Sequence, residues 1–319
     1  ESSQQQQKLP PSQQGVHMGE LRIIIKSLGD RDQNCDSDSD SDWKKALEVF
    51  EFARKRPEFE HEGKGMLSAI LKILGKQSQL VIASNLFNEL EKDGYLLDVY
   101  AYTALLSAYS QCGKYHKATW LFKKMQEEGG CEPNLVTYNV MLDLYSKKGK
   151  PYGKSKSLVN KMKERGIAPD IYTYNTLISA CINGSLCDEA SWIFREMKLA
   201  GCIPDRVTYN ALLDVYGKSG QHQNALDILE EMGRNGHPPN IITYNELIAA
   251  YGRVGLYKEA LALVETMETK DVLADVFTYT SLVSAFCKAG MEKEALRIYG
   301  KMKEAKYTYI KMKLVTRET

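Results

Sequence analysis

Apolar residues recur along this chain at the i, i+3, i+4, i+7 spacing of a helix face, and they do so twice in every 35 or 36 residues. The first face of one copy is Tyr102, Leu105, Leu106 and Tyr109; in another it is Tyr244, Leu247, Ile248 and Tyr251. The second face follows as Ala118, Leu121, Phe122 and Met125, and again as Ala190, Ile193, Phe194 and Met197. The leading Val-Thr-Tyr has strand-like composition, but three residues do not outweigh a period sustained over seven copies. Repeats begin at Lys64, Val99, Leu135, Ile171, Arg206, Ile241 and Val276.

Polar punctuation agrees with two helices per unit. Gly113, Gly149, Gly220, Gly255 and Gly290 stand at position 15, where a left-handed residue ends a helix. Gly94, Gly129, Gly166, Gly201 and Gly236 end the second helix; Pro133, Pro169, Pro204 and Pro239 follow, and Asn or Asp then opens the next unit. Neither helix buries its apolar face alone, so the expected fold is all-α: stacked helix–turn–helix units forming a right-handed α-solenoid, the first helices lining a groove.

The domain plan follows from the same pattern. Residues 1–17 are a Gln-rich low-complexity tail and 64–305 hold seven regular repeats. Residues 18–63 are a degenerate unit: Leu21, Ile24, Ile25 and Leu28 supply a first face, and Ala46, Val49, Phe50 and Ala53 a second. The acidic stretch DRDQNCDSDSDSD between them is too polar to pack and is expected to be a disordered insertion. Residues 306–319 depart from the pattern, with Lys306 where Gly belongs and Ile310 at position 5, and are expected to be a truncated end.

One polar residue interrupts this scheme at a fixed place. Position 5, beside the core aromatic, holds Ser68, Thr103, Asn139, Asn175, Asn210, Asn245 and Thr280. All are small and hydrogen-bonding, and none is a strong helix former. A single copy would suggest a local backbone bond; seven copies point to side chains that read a ligand in the groove.

The unit resembles the pentatricopeptide repeat family in its P-type, uniform 35-residue form: VTYNxLI, then AYGKxG, then EALxLxxxMxxxGxxPD. The tetratricopeptide repeat has nearly the same period but wants Trp-x2-Leu-Gly-x2-Tyr in its first helix, which is absent. The resemblance implies binding of single-stranded RNA, one base per repeat. It implies that position 5 and the last residue of each repeat read the base, and that position 2 sandwiches it. The closing residues are Asp98, Asn134, Asp170, Asp205, Asn240 and Asp275, which also suit a helix N-cap. Position 2 holds Tyr100, Val136, Tyr172, Val207, Ile242 and Phe277, with Gly65 departing. Base stacking and packing between repeats are both open to these side chains. At position 13, Lys76, Lys147, Lys218, Arg253 and Lys288 either complement a helix dipole or meet phosphates.

As the resemblance implies, the pairs read in order spell 5′-GAUUYUR-3′. It further implies a role in organellar RNA processing, stability or translation, beside other organellar RNA-processing proteins. The expected location is the chloroplast, with the mitochondrion second. A peptide-binding scaffold and a fragment of an RNA enzyme are the alternative readings.

Composition narrows the classes further. No apolar run approaches the roughly 20 residues of a membrane helix. The net charge of +1 divides into −4 over residues 1–63 and +5 over the remainder, a mild basic bias where the repeats lie. Seven cysteines form no C-x-x-C pair, the five histidines form no metal-ligand spacing, and the zinc-deaminase signature H-x-E with P-C-x-x-C is absent. No enzyme chemistry, cofactor or metal is therefore expected. The chain begins at Glu1 rather than Met, so a fragment is expected and a targeting peptide would lie upstream.

Overall fold

The computed structural model describes residues 17–30, 39–59, 63–127, 131–149 and 151–315. Among these residues there are sixteen α-helices and no strand. They belong to two compact units. The first comprises Glu1–Lys148 with Glu164–Ile167, and the second Gly149–Lys163 with Ala168–Thr319.

The first unit holds α1 (Met18–Gly29), α2 (Ser39–Arg54), α3 (Lys64–Lys76), α4 (Leu80–Lys92), α5 (Val99–Gln111), α6 (Tyr115–Glu127) and α7 (Leu135–Lys147). The second holds α8 (Tyr152–Glu164, all but its last residue), α9 (Ile171–Cys181), α10 (Cys187–Leu199), α11 (Arg206–Ser219), α12 (His222–Arg234), α13 (Ile241–Val254), α14 (Tyr257–Thr269), α15 (Val276–Lys288) and α16 (Glu292–Val315). Within each unit, helical hairpins stack so that first helices pack on first helices: α3 on α5 and α5 on α7, then α9, α11, α13 and α15 in series.

Physical causes of these boundaries are visible residue by residue. The seven first helices start at Lys64, Val99, Leu135, Ile171, Arg206, Ile241 and Val276. Position 15 is left-handed in every complete repeat. Five repeats use Gly there, while Ser78 (φ 57°) and Ser185 (φ 50°) accept the same strained conformation in the other two. The core stripes are buried as their spacing predicts. Leu67, Tyr102, Tyr138, Tyr174, Tyr209, Tyr244 and Tyr279 occupy position 4, and Ala118, Leu121, Phe122 and Met125 represent the second face.

Close approach of first helices depends on a feature that apolar periodicity does not reveal. A Cβ added at Gly75 would sit 2.7 Å from the Cβ of Ala108; at Gly217, 2.9 Å from that of Ala250; at Gly252, 2.7 Å from that of Ala285. Position 12 is therefore glycine where position 10 of the next repeat is alanine, and the two helices meet nearly backbone to backbone. Ion pairs tie adjacent second helices on the other layer: Lys124 to Glu91 at 2.5 Å, Lys163 to Glu196, and Lys198 to Glu231 at 3.2 Å.

Two expectations need amendment. Ile24 is 40% exposed, whereas Met18, Leu21 and Ile25 are buried. Among the described residues α1 packs on α2 and α3. Ser39–Asp42, the end of the acidic insertion, forms the first turn of α2, the place in a helix that Ser and Asp favour. The rest of the insertion, residues 31–38, lies outside the described residues, as do the tail up to residue 16 and Gly129. α16 continues through Val315, beyond the point where a repeat of this length would turn.

Candidate nucleic-acid interface

Six of the seven first helices, α5, α7, α9, α11, α13 and α15, open on the closing Asp or Asn of the repeat before, and those side chains act as N-caps, whereas α3 opens on Gly63. Asp98 accepts from the N–H of Ala101 (2.9 Å), Asn134 from Thr137 (3.0 Å), Asp170 from Thr173 (2.8 Å), Asp205 from Thr208 (2.8 Å), Asn240 from Thr243 (3.0 Å) and Asp275 from Thr278 (2.8 Å). Capping is thus real, but it leaves the second oxygen of each aspartate and the NH2 of each asparagine.

In the second unit the same oxygen also meets position 5. Asn175 Nδ2 donates to Asp205 Oδ1 at 3.2 Å, and Asn245 Nδ2 to Asp275 Oδ1 at 3.3 Å. The threonine at position 3 of the following repeat closes each triangle. Thr208 Oγ1 lies 2.6 Å from Asn175 Oδ1 and 2.9 Å from Asp205 Oδ1; Thr278 Oγ1 lies 2.6 Å from Asn245 Oδ1 and 2.9 Å from Asp275 Oδ1. Residues at position 5 and at the repeat's end, 30 positions apart, are therefore oriented as one pair.

The threonines Thr137, Thr173, Thr208, Thr243 and Thr278 are buried in place of an apolar residue. They were not among the sequence candidates, although their recurrence before the core Tyr was a usable signal. A buried hydroxyl needs a partner, and each of these has the cap beside it.

Other position-5 side chains differ. Thr103 Oγ1 bonds to Val99 O (2.6 Å) and to Thr137 Oγ1 (2.7 Å), while Ser68 Oγ donates to Gly65 O at 3.2 Å. Thr280 Oγ1 donates to Val276 O at 2.6 Å on an exposed stretch of α15. Asn139 is half-buried in α7. Asn210 Oδ1 is buried without a hydrogen-bond partner among the described residues. The hydroxyl that serves its counterparts, here Thr243, is directed to Asn240 Oδ1 at 3.1 Å.

Position 2 is exposed throughout: Tyr100, Val136, Tyr172, Val207, Ile242 and Phe277 are 48 to 64% accessible. Packing between repeats therefore does not bury them. The cations at position 13 divide. Lys76 Nζ donates to Gly29 O at 3.1 Å, and Lys147 and Lys218 pair with Asp143 and Asp214 at 2.7 and 3.0 Å. Arg253 and Lys288 are exposed.

Electrostatics follow the same triangles. Burial alone would raise the Asp205 carboxyl. The N–H and hydroxyl of Thr208, the amide of Asn175 and the N–H of Val207 nevertheless hold it below the ordinary carboxylate value. Asp275 is lowered likewise, burial opposing and Thr278, Asn245 and Phe277 donating. A carboxyl depressed in the folded state contributes stability that is complete above its unfolded pKa and is lost as pH falls through the folded one. Acidification from neutral pH to about pH 3, below the free Asp value, should therefore narrow the gap in thermal midpoint between the wild type and Asp205→Asn. The asparagine caps without titrating. A gap that stays constant with pH would contradict the depressed carboxyl.

Burial, with Glu189 and Cys187 nearby, pushes the Cys181 thiol up to about 12, so it stays protonated. No group of three His, Cys, Asp or Glu able to hold a metal occurs among the described residues. None of the described helices is long and apolar enough to cross a membrane.

Comparison with known proteins places this arrangement. Models of the pentatricopeptide repeat domain match residues 85–148 and 157–219, the PPR repeat family 204–245 and 239–288, and the PPR repeat 136–167 and 277–307. A chloroplastic pentatricopeptide repeat-containing protein of Arabidopsis thaliana is 41% identical over 105 residues, which is 31% of this chain and 12% of that protein. The crystal structure of the pentatricopeptide repeat protein PPR10 from maize superposes with a TM-score of 0.69 at 34% identity, over 90% of this chain and 39% of that one. PPR10 in complex with an 18-nt psaJ RNA element gives a TM-score of 0.53 at 29% identity, over 90% and 48%. The chain thus spans less than half of these relatives. Family models that run from residue 85 to 307, over the helical hairpins just described, make the chain a P-type member of the pentatricopeptide repeat family.

Proposed function

We propose that this chain binds single-stranded RNA in sequence, one base per repeat, with the position-5 and closing side chains of each repeat reading the base edge. The observation that carries the reading is the direct contact of the two side chains in Asn175/Asp205 and Asn245/Asp275. With Asn Oδ1 taken by threonine and Asp Oδ1 by the cap, one Nδ2–H and one Oδ2 remain for a ligand. A donor beside an acceptor complements the O4 and N3–H of uracil. Exposed apolar groups at position 2 supply stacking surfaces on either side.

Reading the pairs along the chain gives 5′-GAUUYUR-3′. Ser68/Asp98 takes G, Thr103/Asn134 takes A, Asn139/Asp170 and Asn175/Asp205 take U, Asn210/Asn240 takes C or U, Asn245/Asp275 takes U, and Thr280 takes a purine. Several curated relatives are named chloroplastic, which supports a chloroplast location and a part in organellar RNA processing, stability or translation. Occupying the transcript suffices for such a role, with no turnover by this chain.

Single-stranded RNA carrying this site should bind, and the same strand annealed to its complement should bind at least tenfold more weakly, because base edges inside an A-form helix are out of reach. Log affinity should fall linearly with log salt as counterions are released. Filter binding at several salt concentrations measures both, and equal affinity for strand and duplex would overturn the reading.

A further inference from the structure

The degenerate N-terminal unit has kept a helix pair but lost the reader chemistry, and the place where it meets the first regular repeat is unusual. Every later repeat presents a bulky apolar group at position 2, from Tyr100 to Phe277. The first regular repeat has Gly65 there. That gap is filled from outside the repeat: a Cβ at Gly65 would lie 2.6 Å from Cζ of Arg22 and 2.8 Å from its Nη2. Counted from Met18, Arg22 occupies position 5 of the degenerate unit, one turn into α1.

Arg22 and Tyr100 line one cavity of about 480 Å³, together with Ser68, the position-5 residue of the first regular repeat. Lys26, Lys72 and Lys76 also line it, and Asp30 is the single carboxylate among the described lining residues. Lys76 is engaged with the carbonyl of Gly29 and so fixes the end of α1 against the cavity. Arg22, Lys26 and Lys72 are exposed on its wall.

Resting on the RNA-binding reading, we propose that Arg22 supplies the missing plate: its guanidinium stacks on the first base of the bound RNA where Gly65 leaves room, in the cavity that Tyr100 also lines, while Lys26 and Lys72 hold the adjoining phosphate. A guanidinium is planar, weakly hydrated and always charged, so it stacks on a base as an aromatic ring does. Valine or isoleucine, which serve at position 2 further along, cannot add charge. The first base site is thereby both a sandwich and a phosphate clamp, and the degenerate unit is part of the RNA-binding surface.

The test compares 5′-GAUUCUA-3′ with 5′-AUUCUA-3′, which lacks the first nucleotide, by fluorescence anisotropy on the full chain. Arg22→Ala should weaken binding of the longer RNA about five- to tenfold, the low end of what stacking on one base contributes. The shorter RNA should change less than about twofold, being without the base concerned. Arg22→Lys, which keeps the charge and loses the plane, should behave nearer to alanine than to wild type. Adding Gly65→Val to Arg22→Ala should restore much of the lost affinity and flatten the salt dependence.

Equal losses on both RNAs, or no loss on either, would overturn the plate; so would wild-type affinity in Arg22→Lys. The exchange Asn175→Thr with Asp205→Asn, measured on RNAs varied at the fourth base, reads an independent site. If it redirects preference while Arg22 has no effect, only the plate fails. If neither RNA binds at all, the RNA reading fails with it.

Discussion

Tyr209→Ala should destabilise the second unit by about 3–5 kcal/mol, the range for removing a large buried aromatic. Tyr209 is completely buried, packs edge-on against Phe194 of α10 with ring centroids 5.9 Å apart, and accepts a hydrogen bond from Asn235 Nδ2 at 2.6 Å. It therefore joins the second helix of one repeat to the end of the next repeat's second helix. Stability in a repeat array is close to a sum of units and nearest-neighbour interfaces, so one lost tyrosine opens both interfaces at once. Urea unfolding followed by circular dichroism should show a lower midpoint or a separated early transition.

The hydroxyl can be weighed separately. Tyr209→Phe should cost about 1 kcal/mol, the typical worth of one hydrogen bond. Tyr138→Phe should be neutral or slightly stabilising, because the Tyr138 hydroxyl is buried without a partner among the described residues. Equal costs for the two phenylalanine variants would contradict this hydrogen-bond assignment.

Much of the fold was legible because the same physics repeats. Tyr102, Leu105, Leu106 and Tyr109 sit at helical spacing, and all four are buried. The closing residues resisted a decision from sequence for a physical reason: a carboxylate has two oxygens, and capping uses only one. Asp205 Oδ1 takes the Thr208 N–H while the same group faces Asn175. Thr208 escaped notice because a β-branched polar residue in a helix reads as poor propensity, whereas its burial and its two partners appear only in three dimensions. Gly217 and Gly252 carry no side-chain signal, and their use lies in what the next helix brings near them. Ile24 points outward because the face it belongs to has no described helix before it.

Reading of the fourth base by the proposed Asn175/Asp205 pair can be put to one exchange. Asn175→Thr with Asp205→Asn leaves Tyr174, Leu177 and Ile178 in the core of α9 and keeps an amide able to cap α11. The donor and acceptor that suit uracil become a hydroxyl and an amide N–H, the combination found at Thr103/Asn134. Direct base contacts discriminate by about 1–3 kcal/mol in protein–DNA readout, and the low end corresponds to a change of about fivefold or more in relative affinity. The measurement is a competition between 5′-GAUUCUA-3′ and 5′-GAUACUA-3′ for the wild type and for the double variant. The wild type should prefer U at the fourth base and the variant A, with both folded to the same helical content. A variant that folds, binds RNA and still prefers U would contradict the reader assignment.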